Sequence, residues 1–238
     1  EGCEAILFAA HPKSHHSSKA FAASLGMLKN ALDVAKEHGL RFVYLSSMTV
    51  FAGNAKRAGG SFTATESAAP IPYGAYSESK CFGEQLVRLY ADNHGLDTLV
   101  VRPSLLYGPG LYGAWLIPKL ISKAAGGEPI ATHEYANGLP EFELLHVRDF
   151  CAAMKRLMAA SGLPPVVHVG SASAISTYDL AGQLIALSGS ASALTRSRID
   201  AEVRNVLSAP SPTMKGLVPT QRTGSPLAKG GGSSIVTT

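Results

Sequence analysis

A tyrosine and a lysine four residues apart are the side chains of this sequence best suited to proton transfer. Tyr76 and Lys80 lie in the segment Tyr76-Ser77-Glu78-Ser79-Lys80, at the start of a stretch with helical character. A spacing of four residues puts both side chains on one face of a helix. A free tyrosine has a pKa of about 10 and transfers protons poorly at neutral pH, but a neighbouring cation favours the phenolate and lowers that pKa. The pair is therefore predicted to act as a general acid or base.

Two serines follow an apolar run in the part of the chain before this pair. Ser46 and Ser47 come directly after Arg41-Phe42-Val43-Tyr44-Leu45. If that run is a parallel strand, the hydroxyls lie at the carboxyl edge of the sheet, where open α/β folds bind ligands. The alternative is that the serines only form the turn at the strand end, a common place for this residue type.

The elements that must hold these residues alternate between short apolar runs and helical stretches. Strands are predicted at residues 5–10, 41–46, 98–102 and 166–169, and helices at 19–38, 76–93 and 177–187. Strands that alternate with helices of ten or more residues imply crossover connections and a parallel sheet. The fold class is therefore predicted to be α/β, with a parallel sheet, helices on both faces and a small C-terminal lobe.

Composition and charge exclude several classes of protein. The chain has 238 residues, of which 46% are hydrophobic and 16% charged, and its net charge is +4. The basic residues are scattered, so no nucleic-acid partner is predicted, and no apolar run is long enough to predict a membrane span. The three widely spaced cysteines predict neither a disulfide framework nor a metal site. They favour the cytoplasm or another reducing compartment.

Three histidines near the first predicted strand raise the question of a metal site. His11, His15 and His16 lie in a polar stretch with no carboxylate or cysteine at ligand spacing. Zinc sites in proteins take their ligands from histidine, cysteine, aspartate and glutamate side chains. The histidines are therefore interpreted as solvated loop residues, and no metal is predicted.

Four blocks in a fixed order resemble the extended short-chain dehydrogenase/reductases, the NAD-dependent epimerase/dehydratase family. The blocks are Leu7-Phe8-Ala9-Ala10, residues 45–51, residues 76–80 and residues 102–110. Further on, Leu145-His146-Val147-Arg148-Asp149 and Val167-His168-Val169-Gly170-Ser171 are similar to later blocks of the same family. The resemblance covers residues 1–190 and implies a Rossmann-like parallel sheet with a small C-terminal substrate lobe, interleaved at about 105–150. Residues 191–238 are predicted to be irregular and partly flexible.

The resemblance implies a Ser-Tyr-Lys site that uses NAD or NADP. Tyr76 would be the general acid or base, Lys80 would lower its pKa and hold the nicotinamide ribose, and Ser47 would donate a hydrogen bond to the substrate oxygen. The residues implied in cofactor binding, besides Tyr76 and Lys80, are Phe8, Ala9, Ala10, Ser24, Ser46, Pro103 and Ser104. The substrate would be a small molecule with a carbonyl or hydroxyl group.

The sequence also departs from the family in ways that bear on its partners. The Gly-rich turn that binds the pyrophosphate at a helix N-terminus has no counterpart here, so the N-terminal strands of the fold are expected to be missing. The strand at residues 5–10, central in the family, would then have an open edge. A protein partner, a second copy of the chain or a missing N-terminal part of a longer protein is predicted to cover it.

Other departures concern the substrate. Met48-Thr49 replaces an Asp-Glu pair of the family's dehydratases, which argues against sugar 4,6-dehydration. Leu105 replaces an Asn, and Phe142 and Glu143 replace an Arg, of members that bind nucleotide sugars. These changes favour a smaller carbonyl compound, since Glu143 is expected to repel a diphosphate.

Three functions remain open on the sequence alone. The first is an NAD(P)-dependent oxidoreductase or epimerase. The second is a non-catalytic scaffold or accessory subunit of a larger assembly. The third is a catalytic chain completed by a partner that supplies the nucleotide-binding half.

Overall fold

Four parallel strands form the central sheet of the protein, in a computed structural model that describes residues 2–11, 17–113 and 115–217. Their order is β1-β2-β4-β8, with β1 at Ala5–Phe8, β2 at Arg41–Leu45, β4 at Thr98–Pro103 and β8 at Val166–Val169. The register places Phe8 opposite Tyr44, and Leu45 opposite Val101. Because all four strands are parallel, their carboxyl ends meet at one edge of the sheet. The predicted α/β fold with a parallel sheet is confirmed.

Helices cover both faces of this sheet. Helices α1 (Ser18–His38) and α3 (Ala75–His94) pack on one face, where Leu28 and Leu32 meet Phe42, Val87 and Val100. Helix α5 (Val147–Ala159) packs on the other face through its own apolar stripe, with Leu157 fully buried. A parallel sheet covered on both faces requires strands that are apolar throughout, which explains the unbroken run at Leu99-Val100-Val101.

The remaining elements lie outside the four-stranded sheet. Within the described residues these are a 3-10 turn at Met48–Phe51, helices α2 (Ala52–Arg57), α4 (Leu116–Ala125), α6 (Thr177–Ser188) and α7 (Pro212–Leu217), and strands β3 (Ser61–Ala64), β5 (Leu105–Tyr107), β6 (Ile130–Tyr135), β7 (Glu141–His146), β9 (Ala174–Ser176), β10 (Leu194–Ile199) and β11 (Asn205–Ser208). Strands β5, β7 and β9 form one small sheet, while β10 pairs with β6 and β11 pairs with β3. Each helix in the described part of the chain lacks the length and apolarity that crossing a membrane requires.

Two sequence expectations differ from the structure. The first strand ends at Phe8 instead of residue 10, because its pairing with β2 ends at the Phe8–Tyr44 position. The segment after residue 190, expected to be irregular, contains β10 and β11. Strand β10 is mostly exposed and polar, so no apolar periodicity marks it, and it is held by parallel pairing with β6, more than 60 residues away. Residues 218–238, also expected to be flexible, lie outside the described residues.

The outer edge of β1 offers a direct test of the predicted covering partner. Within the described ranges β1 pairs only with β2, and the Arg41 N–H donates to the Glu4 carbonyl oxygen (3.1 Å). Hydrogen bonds of a parallel pair alternate along the strand, so the N–H groups of Ile6 and Phe8 face β2 while that of Leu7 faces the outer edge.

We expect slow amide hydrogen exchange at Ile6 and Phe8 in every state of the protein, because both N–H groups are bonded to β2. Leu7 should exchange rapidly in a demonstrably monomeric sample and slowly in an assembly that covers the edge. Hydrogen exchange measured by NMR at increasing protein concentration checks this. Slow exchange of Leu7 in the monomer would show that the edge is already covered by the chain itself.

Candidate active site

The end of β2 and one face of α3 bring the candidate catalytic residues together. Tyr76 and Lys80 lie one helical turn apart on α3, whose N-cap is Gly74. Ser47 follows β2 and caps the 3-10 turn at Met48–Phe51, which turns the chain away from the sheet edge. Gly83 allows α3 to pack closely against β2, because a Cβ at this position would overlap the Tyr44 side chain. The structure therefore places all three predicted residues at the carboxyl edge of the sheet.

Lys80 is buried although it carries an ionisable amine. Only 4% of the residue is exposed, and its Nζ donates to the Leu45 carbonyl oxygen (2.7 Å). The same Nζ lies 5.2 Å from the ring centre of Tyr44 and 5.8 Å from that of Tyr76. Burial lowers the pKa of Lys80 to about 8, while the negative charge of Glu84 acts in the opposite direction. The amine is thus close to its titration point at mildly alkaline pH.

Tyr76 and Ser47 are joined by a hydrogen bond. The Ser47 hydroxyl oxygen accepts from the N–H and the hydroxyl of Thr49 (3.2 and 3.0 Å), so its own proton is available for the phenol. Burial raises the pKa of Tyr76, and the hydrogen bond from Ser47 partly offsets that rise by stabilising the phenolate. Tyr76 as a whole residue remains 36% exposed, so part of it is accessible from the surface. The sequence predicts the opposite direction, a pKa lowered by Lys80, and this prediction is wrong because burial of the ring has the larger effect.

A buried ion pair lies directly behind these residues. Arg102 on β4 donates through Nε and Nη2 to the two carboxylate oxygens of Glu84 on α3 (2.8 and 2.6 Å), and both side chains are at most 8% exposed. The Ser46 hydroxyl donates to Glu84 Oε1 (2.5 Å). Ser46, expected to contact the cofactor, is 3% exposed and its hydroxyl is engaged by Glu84. Sequence reasoning missed Glu84 and Arg102.

His11 lies against Tyr76, although the sequence suggested a solvated loop residue. Its Nε2 is 2.9 Å from the Ser79 hydroxyl, which donates to the Tyr76 carbonyl oxygen. The two rings meet edge to face with centres 5.1 Å apart. Its position just after the first strand is the signal that could have identified it, since the same argument singled out Ser46 and Ser47. His15 and His16 lie outside the described residues.

The residues expected to border a cofactor fall into two groups along the sheet edge. Phe8, Ala10 and Ser24 line a narrow cavity together with His11 and Tyr44, and Ala9 is exposed beside them. Pro103 and Ser104 are buried at the end of β4. Ser104 Oγ is buried without a hydrogen-bond partner within the described residues, a hydrogen-bonding capacity that a polar ligand atom can satisfy. No set of three or more His, Cys, Asp or Glu side chains in the described ranges could hold a metal ion.

A second, larger cavity lies between helix α4 and the chain at the end of β5. Its volume is about 300 Å³, at the lower end of what small-molecule sites need. It is mainly apolar and is lined by Tyr107, Gly108, Leu111, Ile117, Pro118, Ile121 and Ser122. Tyr107 packs edge to face on His146 at its wall.

Comparison with known proteins places these features in a family. The model of the NAD dependent epimerase/dehydratase family matches residues 3–170, more than half of the chain. Among curated proteins, a dTDP-glucose 4,6-dehydratase of Streptomyces griseus is 32% identical over 160 residues, which is 66% of this chain and 46% of that protein. A dTDP-4-dehydro-6-deoxy-D-allose reductase of a Streptomyces species is 27% identical over 192 residues, 79% of this chain and 58% of that protein. The chain thus spans about half the length of these relatives.

Solved structures show the same fold. The UDP-N-acetylglucosamine 4-epimerase of Bacillus cereus has a TM-score of 0.76 at 20% identity, covering 90% of this chain and 70% of that one. The dTDP-glucose 4,6-dehydratase of Bacillus anthracis, in complex with NAD, has a TM-score of 0.74 at 22% identity, covering 90% and 66%. At these identities the match concerns the fold.

Proposed function

Because the chain belongs to the NAD dependent epimerase/dehydratase family, we propose that it forms the catalytic part of an NAD(P)-dependent oxidoreductase or epimerase. In this proposal Ser47, Tyr76 and Lys80 act on a carbonyl or hydroxyl group of a small-molecule substrate. The observation that carries it is the convergence of the three side chains, with Ser47 bonded to Tyr76 and Lys80 buried beneath the phenol ring. A buried lysine beside a tyrosine at the sheet edge can stabilise the phenolate that forms when the tyrosine transfers its proton.

The residues at the sheet edge fit a nicotinamide cofactor in chemical terms. The unpartnered hydroxyl of Ser104 and the N–H groups of Lys80 that do not bond Leu45 are donors suited to an amide or a ribose hydroxyl. When bound, the cofactor accepts a hydride from the substrate carbon or returns one to it. The solved dehydratase of Bacillus anthracis is described in complex with NAD, which supports the same cofactor class here.

The protonation state of Tyr76 decides which group supplies the proton to the substrate. Its pKa is raised by burial, so at neutral pH the phenol is protonated and can donate to a substrate carbonyl oxygen as the carbon is reduced. The phenolate left behind accepts the hydrogen bond of Ser47 and lies near the Lys80 amine. When the substrate is oxidised, the roles are reversed. Tyr76 then acts as the general base and accepts the proton of the substrate hydroxyl.

Sugar nucleotides are the first substrate class to consider. The curated relatives are named for reactions on dTDP-sugars. Glu143, which was expected to repel a diphosphate, points its carboxylate into the interior, where Ser208 and the Ala172 N–H bind it. This geometry removes one objection to a diphosphate, while Met48-Thr49 still argues against 4,6-dehydration. A smaller carbonyl compound remains the alternative substrate.

The test is a search for hydride transfer. The purified protein is incubated with NAD, NADH, NADP or NADPH and a panel of dTDP-sugars, UDP-sugars and simple ketones, while the absorbance of reduced nicotinamide and the products are followed. Turnover that disappears in Lys80→Met but persists in Lys36→Met, which alters an exposed lysine on α1, supports the proposal. Absence of cofactor binding and turnover, alone and with any co-purifying partner, would favour the non-catalytic scaffold.

A site completed by another polypeptide is the second candidate. The outer edge of β1, which pairs with no other strand of the described residues, lies next to the residues expected to border the cofactor. A strand added there would extend the sheet and enlarge the cofactor-binding edge. Activity that appears only when a partner or a longer form of the protein is present would favour this candidate.

A further inference from the structure

Three consecutive residues at the end of β2 and just beyond it bind three residues spaced four apart on α3. The Leu45 carbonyl oxygen accepts from Lys80, the Ser46 hydroxyl donates to Glu84, and Ser47 bonds Tyr76. Residues at positions i, i+4 and i+8 lie along one face of a helix. The end of the strand and the face of the helix are therefore joined at three points, and Ser46 is the middle residue of the three on the strand side.

The contact between Ser46 and Glu84 is the most strongly supported of the three. Glu84 is held by two hydrogen bonds from Arg102, and the guanidinium of Arg102 lies 5.0 Å from the ring centre of Phe51. Arg102 Nη1 also lies 3.3 Å from Nε2 of His168 on β8. A bidentate pair of this kind fixes orientation as well as distance.

The backbone of Ser46 is fixed from the other side. Its N–H donates to the carbonyl oxygen of Val101 (2.8 Å), the residue just before Arg102 on β4. Ser46 is thus held by its backbone to β4 and by its side chain to α3. Its neighbours Leu45 and Ser47 then have little freedom to move relative to Lys80 and Tyr76.

We propose that Glu84 and Arg102 are positioning residues of the active site, which act through Ser46 to hold Leu45 against Lys80 and Ser47 against Tyr76. A buried ion pair is a poor source of net stability compared with apolar side chains, so its presence behind the site calls for another use. The inference rests on the function proposed above, because positioning matters only if Tyr76 and Lys80 act on a substrate. Its geometry can nevertheless be tested without any substrate.

The variant that isolates the link is Ser46→Ala. It removes the hydroxyl between the pair and the strand while Glu84 and Arg102 remain bonded to each other, so no buried charge is left alone. The reporter is the pKa of Lys80, read from the pH dependence of its Cε chemical shift by NMR. The titratable and charged groups that face Lys80 in the described part of the chain are Tyr44, Tyr76 and Glu84, and the variant leaves all three in place.

In the unmodified protein the pKa of Lys80 is expected at about 8. In Ser46→Ala we expect it to rise by about one unit toward the ordinary value of about 10.4, because a lysine released from Leu45 is better hydrated. Ser46→Thr, which retains the hydroxyl, should restore the original value. Ser192→Ala removes another buried serine hydroxyl, one bonded to Ser190 before β10, and should leave the pKa of Lys80 unchanged.

A pKa of Lys80 that stays at about 8 in folded Ser46→Ala protein overturns the proposal. If Ser46→Ala does not fold, Glu84→Asp decides in its place, because it keeps the negative charge but is too short to bond both Arg102 and Ser46. The same rise is then expected, and an unchanged value has the same meaning. These outcomes are independent of catalysis: loss of the proposed function would appear as absent hydride transfer, with the Lys80 titration unaffected.

Discussion

Replacing Tyr76 with phenylalanine is expected to lower turnover by about 10²–10⁴-fold, the range that a positioned general acid or base contributes. The substitution removes only the hydroxyl, so the ring still packs against His11 and above Lys80. Ser47 loses the partner for its proton but remains bonded to Thr49. The fold should therefore be preserved, and the loss should fall on kcat more than on KM.

The matched control for this variant is Tyr73→Phe. Tyr73 is also a partly exposed tyrosine, and it lies just before helix α3. Its ring centre is 4.5 Å from Lys56 Nζ and 4.4 Å from the guanidinium carbon of Arg204. Both cation contacts involve the ring face, so removal of its hydroxyl should leave turnover unchanged. Steady-state kinetics with circular dichroism on both variants provides the measurement. Equal turnover in Tyr76→Phe and the unmodified protein would mean that the Tyr-Lys pair no longer serves catalysis.

The central sheet could be predicted from the sequence because its signals are local. Apolar runs such as Leu99-Val100-Val101 indicate strands covered on both faces, and the spacing of Leu25, Leu28, Leu32 and Ala35 indicates a helix. The observed helix Ser18–His38 ends at Gly39 in a left-handed conformation (φ 62°), a common way for a helix to end. Each of these signals lies within about twenty residues of chain, so no knowledge of tertiary contacts was needed.

The C-terminal strands could not be predicted in this way. The sequence of β10 alternates polar and charged residues between Leu194 and Ile199, and most of its side chains are exposed. Strand β11 pairs in parallel with β3, more than 140 residues earlier in the chain. Backbone pairing over such separations leaves little trace in local composition, and the same composition is typical of an irregular segment.

The three main residues of the candidate site could be predicted from the sequence, but the residues that contact them could not. Tyr76, Lys80 and Ser47 carry spacing and strand-end signals, whereas Glu84 resembles any acidic residue of a helix surface. Its burial depends on Arg102 reaching it from β4, a contact between residues on separate elements. His11 was misread because a loop histidine is usually solvated, and only the packing of α3 brings Ser79 and Tyr76 to it.

Replacing Glu143 with alanine is expected to lower the free energy of unfolding by about 3–5 kcal/mol. Glu143 is 3% exposed, and its carboxylate accepts from the Ala172 N–H (2.6 Å), the Ser208 N–H (2.7 Å) and the Ser208 hydroxyl (2.7 Å). Each buried donor left without an acceptor costs about 1–3 kcal/mol. A loss of this size is a large share of the about 5–15 kcal/mol that stabilises a typical domain.

The local backbone makes Glu143 hard to replace by another acceptor. Ala172 adopts a positive φ of 53°, a conformation that is unfavourable for a residue with a side chain, and its N–H is bound by this carboxylate. Gly170 leaves the space that the carboxylate fills, since a Cβ there would overlap Glu143 and Ser208. The carboxylate thus joins the turn after β8 to β11, and its removal should free β11 first.

Urea unfolding and amide hydrogen exchange measure the two parts of this prediction. The midpoint of unfolding should fall in Glu143→Ala, and the Ser208 N–H should exchange faster than the amides of β2. Glu37→Ala is the matched control, because Glu37 lies on the exposed face of α1 and surface substitutions of this kind usually change stability by about 0.5 kcal/mol or less. If both variants unfold at the same urea concentration, the Glu143 carboxylate does not hold β11, and pairing with β3 must be enough to keep the strand in place.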